Sequence, residues 1–200
     1  MIRLLTLTGR TLALVLGCVL WAGCYSTMTT KDIPSGQTNS PLTTSRPQSF
    51  ALRQFIDPQG TTSTAGIQIG VNRLRFEEPA TAMVTSAVQR EFERTGHRRI
   101  EDTQLSKGDF LIEGTLTQCA LRRDLANTVT TITGSVEMTI TIRPAAGGKK
   151  IFTKRYEGRH FMSGMDPLPS MWKDVLGQAI AATVKNMSMD RELAAFIHTL

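Results

Sequence analysis

The chain has 200 residues, 40% of them hydrophobic, and a formal charge of +6, enough for one globular domain with short additions. Arg3 and Arg10 supply part of that charge; without them 21 basic side chains stand against 17 acidic ones. An excess so small and so dispersed excludes a nucleic-acid-binding face, which needs concentrated basic residues.

Residues 1–23 read as an export signal. Arg3 and Arg10 form a positive n-region, TLALVLGCVLW (Thr11–Trp21) an apolar core, and Ala22-Gly23 the small residues a signal peptidase needs. The apolar run is too short to span a bilayer, which takes roughly 20 uninterrupted apolar residues. AGC at Ala22–Cys24 resembles the lipobox of bacterial lipoproteins, with Trp21 where that motif usually has Leu. The resemblance implies that Cys24 is acylated, palmitate included, and becomes the first residue of the mature chain. Cys18 in VLGC is a rival, with a shorter apolar core ahead of it. Tyr25, standing where an Asp would retain a lipoprotein in the inner membrane, implies the outer membrane with the domain facing the periplasm.

Residues 24–48 are rich in Ser, Thr and Pro and are expected to form a flexible tether after the lipidated cysteine. The periplasmic domain is then residues 49–200. FALRQFI (Phe50–Ile56) is too apolar for a tether and reads as a first strand or docking segment. Ile67, Ile69 and Val71 alternate toward Leu74 and Phe76, a strand pattern. Pro79 then opens a helix whose stripe is Ala80, Met83, Val84, Ala87, Val88 and Phe92, closed by Gly96. A short strand is expected at Ile100, and another at Asp109–Leu121 with Phe110, Ile112 and Leu116 on one face.

The clearest period of two lies in TVTTITGSVEMTITIRP. Ile132, Val136, Met138, Ile140 and Ile142 fill even positions, while Thr, Ser and Glu fill the odd ones. AAGGKK turns this strand back into IFTKRYEGRHF (Ile151–Phe161). After a Gly/Pro loop, Met162–Ser170, a long helix carries Trp172, Val175, Leu176, Ala179, Ile180, Thr183, Val184 and Met187 on one side. A short C-terminal helix bears Leu193, Phe196 and Ile197. The expected fold is α+β: a two-layer sandwich in which one mainly antiparallel sheet of four or five strands is covered on one face by two amphipathic helices, plus the short one.

AATVKNMSMDRELAAFI, VQREFERTGHR, GDFLIEGTL and GSVEMTITI make the stretch from Ile67 to Ile197 similar to the YajG-type family of bacterial lipoproteins. These motifs are structural, so the resemblance implies an outer-membrane lipoprotein and little chemistry. The plan of anchor, tether and α+β domain also resembles LptE-like lipopolysaccharide-assembly lipoproteins and auxiliary lipoproteins of envelope ABC transporters, on architecture alone.

No catalytic constellation is legible. His97, His160 and His198 lack a ligand at metal spacing, so neither metal nor cofactor is expected, and His97 and His198 are expected in solvated or capping roles near helix ends. GGKK lacks the upstream glycine and the Ser/Thr of a phosphate loop. Cys119 is expected as a small buried hydrophobe. Two surfaces suggest binding. Lys149, Lys150, Lys154, Arg155 and Arg159 crowd one hairpin, either protecting an edge strand or meeting an anionic lipid or acidic partner. Met162, Met165, Met171 and Trp172 surround the Gly/Pro loop, as a core lid or as an adaptable partner contact. The expected function is a non-enzymatic accessory or assembly factor of the cell envelope acting through protein contacts. The alternative is a lipid- or lipopolysaccharide-binding module of an envelope transport system.

Overall fold

The computed structural model describes residues 25–35, 39–43, 46–58, 60, 66–69, 72–101, 108–165 and 168–200. In chain order these form β1 (Tyr25–Met28), a 3-10 turn (Thr30–Asp32), β2 (Ser49–Leu52), β3 (Gly66–Ile69), β4 (Asn72–Phe76) and α1 (Ala80–Arg94). There follow β5 (Arg98–Arg99), β6 (Phe110–Ala126), β7 (Val129–Pro144), β8 (Phe152–Gly164), α2 (Pro169–Ser188) and α3 (Arg191–His198). The result is an α+β two-layer sandwich with its helices on one face of the main sheet, as the alternation and stripes require.

The main sheet runs β5-β2-β6-β7-β8. Its inward residues on β7, Ile132, Val136, Met138, Ile140 and Ile142, are buried, while the Thr and Ser residues between them stay half-exposed. On β6 the inward parity changes. Phe110, Ile112 and Leu116 point to the core, then a bulge between Leu116 and Gln118 adds one residue and Cys119 turns inward opposite Val136. A bulge shifts every later side chain by one position, which is how an odd-numbered cysteine joins an even-numbered core.

All six apolar residues of the α1 stripe are buried, and Glu91 beside them is satisfied by Arg94 at 2.6 Å. The helix ends as expected, with Gly96 at φ +98°. The longer α2 lies across β7 and β8, and Gly158 permits the approach. A Cβ there would stand 2.3 Å from the Thr183 nitrogen, and the Thr183 hydroxyl donates to the Val136 carbonyl at 3.2 Å. The short α3 packs through Leu193, Ala194 and Ile197, with the Phe196 ring 5.5 Å from Phe152.

The five-stranded sheet is mainly antiparallel as expected, through the long β6-β7 and β7-β8 ladders, with β2 running parallel to both β5 and β6. Beyond that expectation, β1, β4 and β3 form a second sheet of three strands. The tether is the expectation that is corrected. Where residues 24–48 are described, they belong to the domain: β1 pairs with β4 from Tyr25↔Arg73 to Met28↔Phe76, and Met28, Ile33 and Leu42 are buried in the common core. Each such burial stabilises by about 1.5–3 kcal/mol, and Thr, which made the composition look disordered, is also a good strand former. The Ser40 hydroxyl donates to the Ser188 carbonyl at 2.7 Å, fastening the same segment to the end of α2.

Candidate functional site

Cys24 lies outside the described residues, one position before β1. The basic hairpin is described, and its cations do not share a surface. Lys149 and Lys150 are exposed at the turn between β7 and β8. Lys154, opposite Ile140, reaches the helix side, 3.0 Å from Asp190 and 2.7 Å from Glu192. Hydrogen bonds to Glu192 and Asp190 raise its pKa. Arg155 and Arg159 point to the opposite, open face, where they pair with Glu137 and Glu157. Along the middle of β6 and β7 that open face is polar. Thr115, Thr139 and Thr141 border Glu113, which bridges Arg53 and Arg143. Burial works against ionisation of Glu113, but Arg143 and Arg53 outweigh it and hold the carboxyl below its ordinary pKa.

The Met-rich loop is divided as well. Trp172 is 1% exposed and Met162 packs against the core opposite Ile132, while Met171 is half-buried. Met165 alone of the four is open, at 85%. It has apolar company that the sequence reading missed. Thr130 pairs with both Leu125 and Gly164, so the β6–β7 turn and the end of β8 meet at one end of the sheet. Leu125, Val129, Phe161 and Leu168 are exposed around that end with Met165; the register puts Leu125 on the helix side of the sheet with Thr130, and Val129 and Phe161 on the open side. The legible signal was Leu125 and Val129 flanking a tight turn, in which Asn127 takes φ +56°; side chains at a hairpin tip have little of their own molecule to cover them.

A second missed group lies on the β1-β4-β3 sheet. Arg73 and Arg75 point outward from β4 while Leu74 and Phe76 point in. Arg73 Nη2 donates to Gln68 Oε1 at 2.8 Å, and the Arg75 guanidinium lies 5.1 Å from the Tyr25 ring centre. Among the described residues, no carboxylate pairs with either arginine, in contrast to the hairpin. The alternation in NRLRF carried this signal.

The buried titratable groups sit away from these surfaces. Burial pushes the Cys119 thiol up to about 12, which suppresses the reactive thiolate. His97, expected near solvent, is buried against the rings of Phe92 and Phe110, which in turn pack on Phe50. The chain after Gly96 enters β5 beside the parallel β2, a pairing that local pattern does not reveal. Among the described residues no three His, Cys, Asp or Glu side chains converge to hold a metal, and no helix is long and apolar enough to cross a membrane.

No protein-family model matches the sequence, and no curated protein matches it. Solved structures match in fold. Protein XCC0632 of Xanthomonas campestris, of the family model DUF330, superimposes with a TM-score of 0.58 at 10% identity, over 87% of this chain and 98% of that one. Hypothetical protein CT253 of Chlamydia trachomatis gives 0.50 at 7% identity, over 78% of this chain and 100% of that one. Lipoprotein GNA1162 of Neisseria meningitidis gives 0.38 at 10% identity, over 72% of this chain and 100% of that one. For XCC0632 and CT253, at such identities, the likeness is one of fold. The chain is a two-layer α+β domain of the architecture seen in XCC0632 and CT253.

Proposed function

We propose that this chain is a lipoprotein of the outer membrane, anchored through Cys24, whose periplasmic domain is a non-enzymatic accessory or assembly factor acting through protein contacts. The signal-like residues 1–23, the AGC motif and the YajG-type wording of the domain support the address. The exposed apolar end formed by Leu125, Val129, Phe161, Met165 and Leu168 carries the mode of action. Exposed apolar side chains gathered at one end of a sheet, here on both of its faces, suit a partner that caps that end, and a flexible Met among them suits an adaptable contact.

A photo-crosslinking residue at Met165 or Phe161, in intact cells, is expected to capture one envelope protein, whereas the same residue at Lys149 is not. Equal capture at all three positions, or none, contradicts the reading. A lipid-binding role is the second reading, favoured by Arg73 and Arg75, which have no carboxylate partner among the described residues.

A further inference from the structure

We infer that the outward face of the β1-β4-β3 sheet, with Tyr25, Arg73 and Arg75 at its centre, is a membrane-docking face that binds the anionic lipid phosphates of the leaflet holding the anchor. The inference rests on the reading of Cys24 as the lipidated residue, and geometry carries it from there. A tether would decouple the domain from the bilayer. Here the residue after Cys24 is already the first of a paired strand, and Met28, three positions on, is fully buried.

Consecutive Cα atoms stand about 3.8 Å apart, and neighbouring strands about 4.8 Å apart. Tyr25 and its ladder partner Arg73 therefore lie within roughly 10 Å of the acylated cysteine. The polar headgroup layer of one leaflet is about 5–8 Å deep. With acyl chains on Cys24 in the hydrocarbon, Tyr25 and Arg73 sit at the level of the headgroups.

The side chains fit that place. The register sets Tyr25, Arg73 and Gln68 in one outward row and Thr27, Arg75 and Gly66 in the next. Tyrosine is enriched at membrane interfaces, and guanidinium is the side chain suited to bidentate phosphate recognition. Glu77 and Glu78 lie beyond the far end of β4; Glu77 is about 13 Å along the strand from Arg73, farther than the screening length of roughly 8 Å at physiological salt, and about 7 Å from Arg75. The face thus runs from Arg73 beside the anchor, through Arg75, to acids at its far end, the polarity that would hold the anchor end of the domain against the leaflet.

A single buried core joins the described residues, all at position 25 or later, so a chain beginning at position 24 with Cys24→Ser keeps every contact of that core and carries no lipid. It is expected to co-sediment with phosphatidylglycerol vesicles in preference to phosphatidylcholine vesicles, and to release as salt rises. Arg73→Gln and Arg75→Gln should each weaken this about fivefold, while Arg73→Lys/Arg75→Lys keeps most of it. Arg155→Gln/Arg159→Gln should leave it unchanged, and circular dichroism checks that each variant is folded. Equal binding to both vesicle types, or a larger loss from the Arg155/Arg159 variant, overturns the docking face. Fatty-acid labelling of the full chain in cells tests the anchor separately. Labelling that depends on Cys24, without a vesicle preference, leaves the anchor standing and removes this face. A vesicle preference without labelling of Cys24 removes the anchor and with it the flush mounting.

Discussion

Lys173 on α2 lies 3.2 Å from Asp32 in the 3-10 turn after β1, a contact that closes the N-terminal segment over the long helix. Burial opposes ionisation of Asp32, yet the Thr29 backbone N–H, Lys173 and the Thr29 hydroxyl together hold its carboxyl below the ordinary value. One turn further on, Gly177 lets the segment come closer still: a Cβ there would stand 2.6 Å from the Asp32 carbonyl oxygen. Met28→Ala should therefore destabilise the whole domain by about 2–5 kcal/mol, and Gly177→Val should also destabilise it by prising the segment away. Urea unfolding measures both. An unchanged midpoint for Met28→Ala would mean that the segment hangs free of the core.

The Tyr156 hydroxyl donates to Asp190 Oδ2 at 2.7 Å, while Asp190 Oδ1 accepts from the Glu192 backbone N–H at 2.9 Å and caps α3. One carboxylate thus ties β8 to the start of the last helix. Tyr156→Phe should cost about 1.5–3 kcal/mol, the usual worth of a hydrogen bond to a charged group, and Asp190→Ala more, because the cap is lost with it. Burial opposes the charge on Asp190, but Tyr156, Lys154 and the Glu192 N–H hold its pKa below the ordinary 3.8. The folded state then binds fewer protons than the unfolded one. The stabilisation is present above pH 3.8 and is lost as pH falls through the folded value. The difference between wild type and Tyr156→Phe should shrink in that acid window; a constant difference would contradict the assignment.

Cys119 should behave as packing. With its thiol pushed up to about 12 by burial, a disulfide reagent at neutral pH should leave the folded chain unmodified there and react on unfolding. Rapid modification of the native protein at this position would show that the core opens beside β6.

Much of the architecture was legible because local periods survive in the final packing. The inward side of β7 and the stripes of α1 and α2 follow from spacing, and Trp172 belonged to the α2 stripe, so its burial could be read without the loop. The β1–β4 pairing could not, since it joins segments 48 positions apart and leaves no local mark. The division of the basic hairpin was within reach: Lys154 sits at the opposite parity from Arg155 and Arg159, so a strand must send it to the other face. What spacing could not supply were the carboxylates that meet them, Asp190 and Glu192 from one element and Glu137 from another.

His97 provides a pH dependence in a separate window. Its ring packs against Phe92 of α1 and Phe110 of β6, both of which lie on Phe50 of β2. Neither ring nitrogen makes a hydrogen bond of normal geometry. Burial is the main reason its pKa is lowered from 6.5. Backbone groups of Leu42 and Gln48 pull the other way, while the charge of His198 adds to the depression. The folded state therefore holds a neutral ring, and the unfolded state takes up a proton below about pH 6.5. The stability associated with the neutral ring is complete above that pH and declines as pH falls toward the depressed folded value, by up to about 1.4 kcal/mol per pH unit for one proton. The urea midpoint should accordingly fall between pH 7 and pH 5, roughly, well before Asp190 and Glu113 begin to protonate. His97→Leu should flatten the curve in this window while leaving the acid limb in place. A variant that keeps the full wild-type slope would assign the proton uptake to another group.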